Sequence, residues 1–232
     1  MKNFPIFKKA ALALAAVGML ASAAAHADSL VVDQPSTLGF KVDVAGVTRS
    51  VDTGLLNVTD ATSGSSFLAF CYELLQGLSV AAFTGGETYT PGANLSPAVQ
   101  TLYNQSFGSL TLTSAVEVAG FQIALWEALD NSDLSSGTLN NWTGAHTGSA
   151  LPADQQAIAD ETEALENAWL YLQKLTQNYP APGNFALTTW SSPNSQDLIQ
   201  ASTATNRVPE PTTLMLGALG LAGLSAVRRR KS

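Results

Sequence analysis

The chain has little of what most active centres are built from. Its 232 residues include one cysteine, Cys71, and two histidines, His26 and His146. A structural zinc site draws on about four Cys or His ligands, and one cysteine cannot close a disulfide within its own chain. No Gly-rich phosphate loop, Ser-centred elbow or metal-spaced Cys/His cluster is present, so no metal and no cofactor is expected. Positive charge is equally scarce. Between residues 28 and 207, seventeen acidic side chains face only Lys41, Arg49, Lys174 and Arg207. A protein that grips phosphate needs clustered Lys and Arg, so nucleic acid and anionic lipid are not expected partners. Cationic or amine-bearing partners suit this field.

The long apolar runs lie at the two ends. Lys2, Lys8 and Lys9 precede an apolar stretch over residues 10–25, and Ala25-His26-Ala27 supplies small residues for signal peptidase, with cleavage after Ala27. The run is short of the roughly 20 residues that span a bilayer. At the other end, Pro209-Glu210-Pro211 leads into an apolar stretch over residues 214–227, and Arg228-Arg229-Arg230-Lys231 follows. Basic residues after an apolar segment hold that end on the cytoplasmic side. These three parts in this order resemble the PEP-CTERM proteins, bacterial exported proteins whose Pro-Glu-Pro motif, hydrophobic helix and basic tail form a sorting signal. The resemblance implies a diderm bacterium and processing by an exosortase. It also implies transient inner-membrane anchoring through a transmembrane helix, then delivery to the cell surface or an extracellular, biofilm-type matrix.

A span of about 180 residues between these signals is the size of one domain. Residues 39–47 alternate around Phe40, Val42 and Val44, residues 54–59 are a short strand candidate, and residues 65–75 form a longer apolar run holding Cys71. Gly85-Gly86 and Pro91-Gly92 read as loops. Ser96-Pro97 is an N-cap followed by Pro at the first helical position. Ser114 with Glu117 forms a capping-box pattern ahead of a helix to about Leu129. Residues 130–148, polar and rich in Gly and Asn, read as a loop. A helix over residues 153–176 places Ile158, Leu165, Trp169, Leu172 and Leu175 on one face. Asp160, Glu161, Glu163 and Glu166 then form a solvated face. Tyr179 to Gly183 ends that helix, and residues 185–190 form a returning strand. The expected fold is α+β: one domain with an antiparallel sheet or barrel part and a segregated helical part. It divides as 1–27 signal peptide, 28–201 domain, 202–207 linker and 208–232 sorting signal.

Two residues are out of place in their surroundings. Cys71 is unpaired in an exported chain, where cysteines normally come in even numbers. Gln122 is the one polar side chain across residues 118–126, and a buried amide without partners costs about 1–3 kcal/mol. Either Gln122 makes satisfied structural hydrogen bonds or it serves chemistry. Phe70-Cys71-Tyr72-Glu73 and Gln122-Ile123-Ala124-Leu125-Trp126, in that order, resemble the thioester domains of bacterial surface adhesins, also called TQXA domains. The small polar residue those adhesins carry before Gln is Phe121 here, and residues 120–127 look like a Gly-Phe-Gln variant of the motif. The resemblance covers residues 31–201. It implies a Cys71–Gln122 thioester that bonds covalently to an amine or hydroxyl of a target, a single-use acyl transfer rather than enzyme turnover. Low lysine content, Lys41 and Lys174 alone in residues 28–207, suits a domain carrying such a group.

Other readings stay open: a buried free thiol beside an unrelated Gln, an intermolecular disulfide, or a hydrolase pairing Cys71 with His146. A non-covalent structural or binding protein of a polysaccharide matrix is the alternative function. Glu73 and Glu127 adjoin the two motif residues and are expected as surface or cap residues.

Overall fold

The computed structural model describes residues 27–34, 37–93, 95–130, 139–177, 181 and 183–204. The signal segment before residue 27, most of the polar stretch after Asp130, and the Pro209-Glu210-Pro211 signal with its apolar helix lie outside the described residues. Among those described, no helix is long and apolar enough to cross a membrane.

Six strands close into an antiparallel barrel. They are β1 (Asp28–Asp33), β4 (Leu56–Asp60), β5 (Ser66–Cys71), β6 (Glu87–Gly92), β8 (Phe185–Ser191) and β9 (Leu198–Thr203), in the order β1-β4-β5-β9-β8-β6. Alternation puts Leu30 and Val32 of β1 and Leu56 and Val58 of β4 in the core. Closure leaves the barrel without a free edge. β2 (Leu38–Val44), β3 (Val47–Thr53) and β7 (Trp142–Gly144) form a separate sheet in the order β3-β2-β7. The β2–β3 turn runs through Ala45 and Gly46, both with positive φ.

Three of the helices pack on one another, and the short first one packs on the barrel strands β1 and β6. A short α1 (Val80–Thr84) starts at Ser79, whose hydroxyl accepts from Ala82 N. α2 (Pro97–Ser106) starts at Ser96 with Pro97 at its first position. α3 (Ala115–Asp130) packs along α4 (Gln155–Thr176). Half of the expected capping box forms: Glu117 N donates to Ser114 Oγ at 3.3 Å, while the Glu117 carboxylate turns to Thr111 N at 2.8 Å. An aromatic cluster of Phe70, Tyr103, Phe107 and Phe121 joins barrel and helices, with Phe70 and Phe121 ring centres 5.1 Å apart.

The mixed α and β class with an antiparallel barrel and segregated helices is the one expected; several local expectations are corrected. Pro91 and Gly92 sit inside β6, paired with Trp190 and Thr189, rather than in a loop. β7 forms within the stretch read as loop, because it pairs with β2. Ser202 and Thr203, expected in the linker, are ladder residues opposite Ala186 and Phe185.

α4 is rolled relative to the face read from its large apolar residues. Glu161, Ala164, Ala168, Tyr171 and Leu172 are buried, while Trp169 is 46% exposed. The cause is a close helix approach at Gly120. A Cβ there would lie 2.7 Å from Asn167 Cβ and 2.8 Å from Ala164 O, so only small residues fit at the crossing.

Candidate functional site

Cys71 is the last residue of β5, and its position in the ladder explains what it meets. On one side β9 continues the sheet, with Cys71 opposite Leu198. On the other side the β4 ladder ends at the pair Leu56 and Ala69, so beyond it β4 leaves the Cys71 N–H and C=O without a strand partner. Gln122 fills that place. Cys71 N donates to Gln122 Oε1 at 3.0 Å, and Gln122 Nε2 donates to Cys71 O at 2.7 Å. The carboxamide thus imitates one peptide of a neighbouring strand.

The structure brings the two residues together and buries them both. Cys71 is 3% exposed and Gln122 is wholly buried. Their neighbours in sequence set the register: Phe70 precedes Cys71, Phe121 precedes Gln122, and these two rings pack on each other. Phe121, where the adhesin motif carries a small polar residue, therefore has a packing role. Burial pushes the Cys71 thiol up to about 12, because a thiolate loses its hydration there.

The segment after β5 forms the mouth of the site and is fastened to the loop over residues 192–197. Tyr72 N donates to Asp197 O at 2.7 Å, and Gln196 Nε2 donates to Glu73 O. Ser195, wholly buried, accepts from Ser79 N at 3.0 Å and from the Tyr89 hydroxyl at 2.9 Å. Glu87 accepts from the hydroxyls of Ser192 and Ser79, which hold its carboxyl below the ordinary value. Nothing local in the sequence singles out Ser192, Ser195 or Glu87, since their partners are up to 116 residues away.

Two cavities share a wall containing Trp126. The smaller, about 360 Å³, reaches Cys71. The larger, about 860 Å³, is bordered by Asp43, Glu73, Glu127 and Asp197, with no basic side chain in its lining. Trp142 of β7 stacks on Trp126, with centres 5.9 Å apart and planes 6° from parallel. Glu127 is buried, not a surface residue as expected, and accepts from Trp142 Nε1 at 2.5 Å.

His146 lies elsewhere. Its Nδ1 is 2.7 Å from Glu161 Oε1, and its backbone N donates to Glu161 Oε2 at 3.1 Å. The hydrogen bond to Glu161 raises the imidazole pKa. Glu161 is 2% exposed, which corrects its expected place on a solvated face. The imidazole is held by Glu161 and lines neither of these two cavities.

Residues 207–231 match the PEP-CTERM protein-sorting motif. The chain is accordingly an exported protein, processed by an exosortase at the membrane and associated with the surface. No curated protein matches. Among solved structures, the N-terminal domain of the Streptococcus pyogenes pilus tip adhesin Cpa is similar over 74% of this chain and 98% of that one, at 16% identity and a TM-score of 0.36. A likeness at that level carries neither function nor mechanism to this chain.

Proposed function

We propose that Cys71 and Gln122 form an internal thioester, and that this exported protein uses it once to attach covalently to an amine or hydroxyl on a surface protein or matrix polysaccharide. In the first step the Cys71 sulfur attacks Gln122 Cδ. The C–N bond breaks, and the thiol proton leaves with the amide nitrogen as ammonia. In the second step a target nucleophile attacks the same carbon, the C–S bond breaks, and the nucleophile's proton passes to the sulfur. Each molecule reacts once, so there is no turnover.

The observation that carries this reading is the two-point clamp of the Gln122 carboxamide on Cys71. The Cys71 N–H on Oε1 is a donor aimed where negative charge would develop during attack at Cδ. Clamping also removes the rotational freedom that would otherwise slow an encounter between two side chains. Burial favours the neutral acyl form, which has no charge to desolvate, and keeps water from hydrolysing it.

The same clamp supports a second reading, in which Gln122 is a structural cap on the β5 ladder and the protein binds its matrix non-covalently. Intact mass spectrometry on freshly exported protein separates them. The thioester makes the wild type one ammonia lighter than its plain sequence, and Cys71→Ala restores the full mass. A fluorescent primary amine then labels Gln122 in the wild type alone. Full mass together with no labelling in folded protein establishes the structural reading.

A further inference from the structure

We propose that the larger cavity beside Trp126 is a saccharide-binding subsite that presents a sugar hydroxyl to the mouth at Cys71. Two residues of its lining each carry a buried polar atom with no hydrogen-bond partner: Trp126, whose Nε1 is a donor, and Glu73, whose Oε2 is an acceptor. They are of opposite kind. Trp126 is only 4% exposed, so its indole N–H has little access to water, and a native protein seldom leaves such a group unpaired. The neighbouring indole shows the contrast, because Trp142 Nε1 is taken up by Glu127.

Donor and acceptor chemistry selects the ligand. An ammonium has donors only: it can serve Glu73 and the other carboxylates of the lining but gives Trp126 nothing to bond to. A carboxylate or phosphate can accept from Trp126, but it meets Asp43, Glu73, Glu127 and Asp197 with no compensating cation in the lining. A hydroxyl donates and accepts through one oxygen, so a neutral polyol satisfies both orphan atoms. The cavity, about 860 Å³, falls in the size range of small-ligand pockets, about 300–1,000 Å³. Its apolar wall of Leu74, Leu75 and Leu129 suits the C–H face of a pyranose.

The two cavities share Leu74, Leu75, Gln76 and Trp126, and the smaller one touches Cys71. A sugar seated in the larger one therefore lies beside the route to the acyl carbon. If the thioester forms, the sugar oxygen attacks Gln122 Cδ, the C–S bond breaks, the hydroxyl proton passes to the Cys71 sulfur, and an ester results. This last step rests on the thioester reading; binding does not.

The test is a tryptophan-fluorescence titration of the purified exported protein and its Cys71→Ala variant with maltotriose, cellotriose and chitobiose, and with spermidine as the cationic probe. A saturable response to a saccharide is expected in both proteins. Trp126→Phe and Glu73→Leu, each checked for folding by circular dichroism, are expected to weaken it about threefold or more, the loss of one hydrogen bond. A response to spermidine alone overturns the proposal in favour of a cation site. No response to any saccharide in the mM range, or binding unchanged in both variants, also overturns it. A wild-type mass with no ammonia lost would remove the acyl step and leave the binding result standing.

Discussion

The barrel and the three-stranded sheet are built from similar strands, yet they hold their residues in different ways. The barrel closes on itself, so β5 and Cys71 are fixed by ladders and by the packing of Phe70 on Phe121 of α3. The small sheet is open, and much of β3 is exposed. Its β7 edge is tied to the helices by side-chain hydrogen bonds, Trp142 to Glu127 and His146 to Glu161. Gly144 is required at the second tie, because a Cβ there would overlap the Glu161 carboxylate. The barrel and α3 thus set the Cys71–Gln122 contact, while the small sheet supplies Asp43 and Trp142 to the cavity next to it. Chemistry and access are held by separate supports that can be broken one at a time.

The largest effect is expected at the joint between barrel and α3. Gln122→Ala leaves the Cys71 N–H and C=O unpaired and buried, a cost of about 2–4 kcal/mol. Cys71→Ala keeps the clamp, since both hydrogen bonds run to the backbone of residue 71, and is expected to cost about 1 kcal/mol. Urea unfolding of the two variants in parallel measures the difference. Equal losses would mean that the clamp does not hold the joint.

Next comes the tie of the small sheet. Glu161→Ala is expected to lower stability by about 1–3 kcal/mol. Hydrogen exchange should speed up at Trp142–Gly144 and leave Ser66–Cys71 unchanged. Exchange that rises equally in both strands would erase the distinction between the two regions.

The thiol gives a smaller, pH-dependent effect. Folding raises the Cys71 pKa from 9.0 to about 12, so over this interval the native state holds a proton that the unfolded state releases, and stability falls as pH rises. Protein with a free thiol is expected to lose about 1 kcal/mol more than Cys71→Ala between pH 9 and 10. Thioester-containing protein has no thiol to titrate and should follow Cys71→Ala.

The smallest effect is at His146. Its raised pKa means that the Glu161 contact contributes fully below the unfolded-state value of 6.5 and is lost as pH rises through the folded one. Asp154 adds to the rise and Lys41 opposes it. Exchange at β7, corrected for its intrinsic pH dependence, should quicken across that range in the wild type and not in His146→Gln.

Some of this was legible in the sequence for local reasons. Ser96-Pro97 and Ser114 mark helix starts through hydrogen bonds spanning two or three residues. The alternation of β2 and β4 and the apolar run ending at Cys71 follow from burial of a strand face. Other elements were hidden because their stabilising partners are remote. β6 carries a Pro-Gly pair yet is held by β1 and β8, and β7 is three residues long and exists through β2 and the packing of Trp142 on Trp126. The buried face of α4 is not the one its large apolar residues mark, although such residues normally mark the core. Here Gly120 draws the helices close enough that Ala164 and Ala168 do so instead.

The sequence by itself determined that the protein is exported, that it carries a PEP-CTERM sorting signal, and that Cys71 and Gln122 are chemically out of place. These properties are written in composition and short-range order. Only the tertiary structure decided that the Gln122 carboxamide takes the place of a missing strand beside Cys71, and that Trp126, Trp142 and four carboxylates wall a cavity next to it. The pair is 51 residues apart in sequence, and where a ladder ends or a helix can approach depends on the packing of the whole chain.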